Sequence, residues 1–242
     1  MELRELTLQS SDGFYQRKAW FRPGPDAPHR LGVLLDGEFY LERADVLPLL
    51  DGRIEGEPLP EMSWLLIASG GAQARHDDFT YNPRFARFIA EDAVGWARGA
   101  AGGLVGDRHV LGGLSLSGLA AGYIALVHNT LFSAALCQSG SFWHEPERFA
   151  ALVEAHPPSA TRFWLSVGDQ ETDVDVSHPP TGLYQSMSQI EGVQRACSAL
   201  EHVAGAVHCH RYQGGHEFGP WRAEFVEALR WLLVPSMGER GL

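Results

Sequence analysis

Six short, largely apolar runs, separated by longer amphipathic stretches, most restrict how this 242-residue chain can fold. The runs occupy residues 31–35, 64–68, 109–111, 134–137, 163–167 and 207–210. Strands that are apolar on both faces are typical of a parallel sheet covered by helices. Between the runs, apolar residues recur at helical spacing in residues 83–96, 118–128, 147–154, 190–202 and 220–233. This alternation predicts an α/β fold with helices on both faces of the sheet.

The start of the chain has a different pattern. Residues 3–9 and 15–22 have the composition of strands, and residues 23–28 form a turn-rich loop of proline and glycine before the next strand. Strands so close in sequence favour antiparallel pairing. We therefore expect antiparallel N-terminal strands beside a mostly parallel central sheet, in a single domain over residues 1–242.

One long segment lacks a clear period. Residues 172–187 contain Pro179-Pro180 and Thr181-Gly182, which are typical of turns. The segment is predicted to be a long loop that could cover a cleft.

Charge and hydropathy exclude several classes of function. Thirty acidic against nineteen basic residues give a formal charge of -11, which disfavours binding to nucleic acid and to anionic membranes. No apolar run approaches the length of a membrane span, and residues 1–5 lack the pattern of a secretory signal. We expect a cytoplasmic protein. The sequence gives no indication of its oligomeric state.

The chain contains three cysteines, Cys137, Cys197 and Cys209. Their odd number and the absence of CxxC spacing argue against a disulfide framework and a structural zinc site. We interpret all three as reduced packing residues.

A serine stands at the junction of a strand and a helix. Residues 110–119 read VLGGLSLSGL, so the apolar run stops at Ser115 and an alanine-rich helical pattern follows at once. A hydroxyl at such a corner projects into a cleft, where a histidine can reach it and backbone N–H groups can meet an oxyanion. The sequence departs from Gly-x-Ser-x-Gly only at Ser117. The alternative is an ordinary helix N-cap serine after a glycine-rich strand end.

A histidine and several acids follow in the order that serine hydrolases of this architecture use. His216 lies after two glycines, between the last predicted strand and the last predicted helix, whereas His202, His208 and His210 are better explained as surface or strand residues. Four acids follow the strand at residues 163–167, namely Asp169, Glu171, Asp173 and Asp175. Any one of them could orient the imidazole of His216.

Two further features would complete an active site. The N–H of Leu116 and that of Gly37, which follows the strand at residues 31–35, are candidate oxyanion donors, although a plain strand-ending turn equally explains Gly37. Phe142, Trp143 and His144 could line an aromatic acyl pocket. The alternative is that they anchor the following helix.

Taken together, the chain resembles the enterochelin (enterobactin) esterase group of the esterase D type α/β-hydrolases. The resemblance extends over about residues 15–233 and is carried by residues 34–38, 75–83, 113–119, 138–143 and 214–221. It implies an α/β-hydrolase fold, Ser115 as nucleophile, His216 as base and Glu171 as acid, with Asp173 as second choice. It places Arg75 near the cleft. It implies no metal or organic cofactor, and we expect no separate N-terminal domain.

Members of this group hydrolyse the ester bonds of the serine trilactone in catecholate siderophores. The resemblance therefore implies a small-molecule ester substrate, including a ferric siderophore, and an acyl-enzyme formed on Ser115. A ferric tricatecholate is strongly anionic, so its binding would need a local cluster of cations. The alternatives are a general carboxylesterase, a thioesterase or S-formylglutathione hydrolase, and a weakly active ligand-binding protein in which Ser117 alters the turn between strand and helix at Ser115.

Overall fold

An eight-stranded mixed sheet forms the centre of the protein in the computed structural model, which describes residues 2–25, 29–50, 59–102, 104 and 106–233. The strands are β1 (Arg4–Gln9), β2 (Gln16–Arg22), β3 (Arg30–Leu35), β4 (Met62–Ile67), β5 (His109–Leu114), β6 (Phe132–Gln138), β7 (Arg162–Gly168) and β10 (Ala206–Tyr212). Their order is β1-β2-β4-β3-β5-β6-β7-β10. The β1–β2 and β2–β4 pairs are antiparallel and the others are parallel. The predicted sheet, with its antiparallel N-terminal strands, is confirmed.

Helices cover both faces of this sheet, as expected. They are α1 (Gly37–Glu42), α2 (Leu47–Leu50), α3 (Ala72–Phe79), α4 (Pro83–Arg87), α5 (Val94–Ala100), α6 (Leu116–Val127), α7 (Pro146–Ala155), α8 (Gln189–Leu200) and α9 (Phe218–Leu233). A π-helical turn, Phe88–Ala93, joins α4 to α5. On one face, α3 to α8 pack around the larger core cluster, and on the other α1, α2 and α9 pack around the second.

The fully apolar strands have a direct structural cause. In β3, Val33 and Leu35 belong to the larger core cluster, whereas Leu34 between them belongs to the other. Successive side chains of a strand point to opposite faces, so a strand between two helical layers must be apolar at every position. The short apolar runs therefore locate the central strands.

The segment at residues 172–187 is more ordered than predicted. It contains a hairpin of β8 (Val176–His178) and β9 (Leu183–Gln185), whose antiparallel pair is separate from the main sheet. The turn residues Pro179, Pro180, Thr181 and Gly182 connect the two strands, which are too short to show a period of two in the sequence. Of the loop expected at residues 23–28, residues 26–28 lie outside the described part of the chain.

The interpretation of the cysteines is wrong for two of the three. Cys197 of α8 and Cys209 of β10 form a disulfide, with their Cα atoms 6.3 Å apart. The helix α8 packs against β10 after a short connection, which brings together two residues that no motif links in the sequence. Cys137 is free and buried, as expected. Among the described residues, no helix is long and apolar enough to span a membrane.

Candidate active site

Ser115 occupies a sharp turn between β5 and α6. Its backbone has φ 57° and ψ -122°, a conformation that a residue with a side chain adopts only when the surroundings hold it. The N–H of Ser115 donates to the carbonyl of Gln138 at 2.8 Å, and its own carbonyl accepts from the N–H of Ser141 at 3.0 Å. These bonds fix the predicted strand–turn–helix corner to the end of β6.

Small residues allow this corner to close. A Cβ on Gly113 would lie 2.1 Å from the Ser117 carbonyl oxygen, and one on Gly118 would lie 2.9 Å from the Cα of Gly140. Ser117, which stands where the motif has glycine, is fully buried. Its hydroxyl accepts from the N–H of Leu114 at 2.9 Å and donates to the carbonyl of the same residue at 2.8 Å. Ser117 therefore fits within the turn and ties its two ends together.

Ser115, His216 and Glu171 form an unbroken chain of hydrogen bonds. His216 Nε2 lies 2.9 Å from Ser115 Oγ, and His216 Nδ1 lies 2.6 Å from Glu171 Oε2. Of the four acids that the sequence offered, Glu171 is the one that contacts the imidazole. Asp169 accepts instead from the N–H of Gly214, and Asp175 from the hydroxyl of Tyr184.

Glu171 is buried in a cluster of donors. Its Oε1 accepts from Ser139 Oγ at 2.7 Å, Tyr212 Oη at 2.8 Å and the N–H of Gly168 at 2.7 Å. Burial opposes ionisation, but the bonds from His216, Gly168 and Ser139 outweigh it, so the pKa of Glu171 lies below its ordinary value. The site therefore holds a carboxylate beside the histidine.

The sequence reasoning missed three residues that support this carboxylate. They are Ser139, Tyr212 and Trp221, whose indole Nε1 lies 2.9 Å from both Ser139 Oγ and Tyr212 Oη. The Trp221 ring also packs edge-on against the His216 imidazole, with 4.9 Å between centroids. Ser139 and Trp221 lie in segments that carried the family resemblance, which was the available signal.

The two candidate oxyanion donors both begin helices. Leu116 is the first residue of α6 and Gly37 the first of α1, and N–H groups at this position have no acceptor within their own helix. Glycine at position 37 permits close packing on β4, because a Cβ there would lie 2.7 Å from the Ile67 nitrogen.

Two cavities meet at Ser115. The larger, of about 510 Å³, has Phe39, Arg75 and Leu116 in its wall, and the smaller, of about 220 Å³, has Glu171 and His216. Both also contact Ser141, Trp143 and His178.

Trp143 and the hairpin border both cavities. The Trp143 ring stacks on His178 of β8 with centroids 5.2 Å apart, and its Nε1 donates to Gln189 Oε1 at 2.6 Å. The hairpin also contributes Pro179, Pro180, Thr181 and Leu183 to the larger cavity. Residues 172–187 therefore line the cleft beside Ser115.

Phe142 does not line either cavity at Ser115, so its assignment as a substrate-binding residue is wrong. It is 1% exposed, and its ring lies 4.8 Å from that of Phe149 in α7. Side chains added at Gly122 or Gly140 would meet this ring. The apolar surroundings bury Phe142 as an anchor for the following helix, which was the alternative interpretation.

Arg75 reaches the larger cavity but already has a charged partner. Its Nε and Nη2 donate to the Asp36 carboxylate at 2.8 to 3.0 Å, and its guanidinium lies within 6 Å of the ring centroids of Phe39 and Phe79. Asp36 is fully buried, which raises its pKa, while Arg75 acts to lower it. The charge of Arg75 is therefore largely compensated within the protein.

Comparison with known proteins identifies the family of this chain. Residues 33–232 match the model of a family described as putative esterase. The chain belongs to this esterase family. The iron(III) enterobactin esterase of Dickeya dadantii (strain 3937) is 28% identical over 232 residues, which are 90% of this chain and 52% of that protein. The iron(III) enterobactin esterase of Escherichia coli (strain K12) is 25% identical over 244 residues, 98% and 58% of the two chains.

Solved structures share the fold of this esterase. The enterobactin esterase FES from Shigella flexneri, crystallised in the presence of enterobactin, aligns with a TM-score of 0.78 and 24% identity over 95% of this chain and 58% of that one. An IroE-like serine hydrolase from Shewanella oneidensis aligns with a TM-score of 0.73 and 18% identity over 95% of this chain and 79% of that one. The chain spans little more than half the length of the curated relatives it matches. The expected resemblance to enterochelin esterases is confirmed.

Proposed function

We propose that this esterase cleaves carboxylic ester bonds with Ser115 as nucleophile and through an acyl-enzyme. The observation that carries the proposal is the chain of hydrogen bonds from Ser115 through His216 to the buried carboxylate of Glu171. A serine hydroxyl is a weak nucleophile unless an adjacent base takes its proton, and the imidazole is within reach to do so.

The chemistry follows from these positions. As Ser115 Oγ attacks the ester carbonyl, His216 Nε2 takes the hydroxyl proton and then gives it to the departing alcohol. Glu171 accepts from Nδ1, which keeps Nε2 unprotonated beforehand and stabilises the imidazolium afterwards. The N–H groups of Leu116 and Gly37 are the proposed donors to the oxyanion. Water activated by His216 then releases the acid and restores Ser115.

For the substrate we propose an ester of the catecholate siderophore class, which carries aromatic groups. The curated relatives are iron(III) enterobactin esterases, and the larger cavity has the aromatic side chains of Phe39 and Trp143 in its wall. Among the described residues lining the two cavities, Arg75 is the only lysine or arginine, and Asp36 compensates its charge. This charge balance favours an iron-free ester over the anionic ferric complex.

The same charge balance supports a second candidate, a carboxylesterase for neutral aromatic esters. The two candidates share Ser115 and differ only in the substrate. A comparison of substrates therefore decides between them.

The test combines labelling with a substrate panel. A fluorophosphonate probe is expected to label the purified protein and to leave Ser115→Ala unlabelled. Iron-free enterobactin, ferric enterobactin, a p-nitrophenyl ester and a matched thioester are then compared by chromatography of the products. Hydrolysis of trilactone supports the siderophore proposal, whereas cleavage of simple esters alone supports the second candidate. Equal hydrolysis by Ser115→Ala would overturn the serine mechanism.

A further inference from the structure

In the proposed mechanism, the alcohol part of the ester occupies the smaller cavity at Ser115 and leaves through it. His216 must deliver its proton to the departing oxygen, and His216 contacts the smaller cavity but not the larger. Leu116, the proposed oxyanion donor, contacts the larger cavity. The carbonyl and acyl group therefore face the larger cavity. The smaller one is called the leaving-group pocket below.

The leaving-group pocket carries an acid that the triad does not use. Asp173 lies in its wall, and the backbone carbonyl of Asp173 accepts from Gln185 Nε2 at 3.0 Å, which ties the residue to β9. No lysine or arginine is among the described residues that line this pocket. Its other polar members include the uncharged amides of Gln170, Gln185 and Gln189.

The charges in the pocket do not cancel during the reaction. Glu171 is paired with His216, and this pair becomes neutral overall when the imidazole takes the Ser115 proton. Asp173, a residue of negative formal charge, lies in the pocket wall outside this pair. A carboxylate on the departing alcohol would enter a small cavity with an uncompensated like charge, whereas an amide would meet groups able to bond with it.

We propose that Asp173 is a specificity-determining residue, which makes this esterase discriminate against esters whose alcohol carries a carboxylate and favour neutral or cationic alcohols. The proposal rests on the proposed function. It also gives a role to an acid that the sequence offered as an alternative member of the triad and that the structure leaves outside it.

Two matched pairs of hippuryl esters test the proposal. The first pair has N-acetylserine amide or N-acetylserine as the alcohol, which differ by one negative charge. The second has 3,3-dimethylbutanol or choline, which are nearly the same shape and differ by one positive charge. We expect Asp173→Asn to raise kcat/KM for the anionic ester relative to its neutral partner by about three- to tenfold, and to lower the relative rate for the choline ester.

Asp175→Asn is the matched control. It removes the same charge two residues away, but Asp175 lies outside the pocket wall and bonds Tyr184. Both ratios are expected to stay near those of the unaltered enzyme. The unaltered enzyme should also lose discrimination as the salt concentration rises from about 20 mM to about 500 mM, because Asp173 is exposed to solvent.

The outcomes separate the two proposals. Equal rates for the neutral and anionic esters, with hydrolysis that depends on Ser115, would overturn the role of Asp173 and leave the serine mechanism intact. Identical ratios in Asp173→Asn and Asp175→Asn would do the same. Hydrolysis that survives in Ser115→Ala would overturn the mechanism and this inference with it.

Discussion

The Arg75 guanidinium donates to both carboxylate oxygens of Asp36, a residue that has no exposure to solvent. Asp36 follows the end of β3, Arg75 lies on α3, and the guanidinium also reaches the carbonyl of Leu114 at 3.4 Å. The pair thus lies directly behind the turn that holds Ser115. Its first role is structural.

Arg75→Met is therefore expected to destabilise the protein. It leaves the buried Asp36 without its charged partner, and the free energy of unfolding should fall by about 3 kcal/mol, at the lower end of the range for buried pairs because Arg75 keeps some contact with water. Urea unfolding measures the change. In the double variant Asp36→Asn with Arg75→Met, much of the loss should be recovered. Equal stability of Arg75→Met and the unaltered protein would show that the pair contributes nothing.

Ser117→Gly restores the glycine of the Gly-x-Ser-x-Gly motif. It should lower the stability of the protein without raising its activity. The two hydrogen bonds to Leu114 disappear and a glycine enters a helix, so the free energy of unfolding should fall by about 1–2 kcal/mol. The turn is already closed with serine present, so kcat/KM for an aryl ester should stay within about threefold. A tenfold gain would mean that Ser117 restrains the turn.

Glu171→Gln separates catalysis from binding. In the proposed mechanism this substitution removes the negative charge that stabilises the His216 imidazolium, so kcat should fall by about 10²- to 10⁴-fold with little change in KM. Stability provides an independent measurement. Because the pKa of Glu171 is lowered in the folded state, its stabilising effect is present above the ordinary pKa and is lost as the pH falls through the lowered one. The difference in unfolding free energy between Glu171→Gln and the unaltered protein should therefore shrink as the pH falls.

Glu224 should make stability depend on pH in the opposite sense. This α9 residue is 4% exposed, and burial raises its pKa from 4.5 to about 7. A carboxyl with a raised pKa contributes stability that is fully present below the unfolded pKa and is lost as the pH rises through the folded one. Glu224→Gln should match the parent near pH 4.5 and exceed it by about 3 kcal/mol near pH 8. Equal stability curves for the two proteins would show that Glu224 does not titrate in this range.

The sequence predicted the central sheet well because a strand between two helical layers must be apolar throughout, as Val33, Leu34 and Leu35 illustrate. Ser115 and His216 could be predicted for a related reason. Both stand at junctions where glycines mark unusual backbone beside the end of a strand.

Other features depend on contacts that no local pattern encodes. Glu171 and Asp173 lie in one acidic segment, and only the folded backbone places one beside the imidazole and the other in the pocket wall. Phe142 and Trp143 are adjacent aromatic residues, yet one faces the core and the other the cleft. The bond between Cys197 and Cys209 likewise follows from the packing of α8 against β10.

The hairpin of β8 and β9 has its own two-stranded ladder and shares no strand with the main sheet, while the three residues of the proposed triad follow β5, β7 and β10 of that sheet. Changes in the length or composition of the hairpin are therefore expected to leave the register of these strands unchanged. We expect that replacing the hairpin would reshape the cleft beside Ser115 while the proposed triad keeps its geometry.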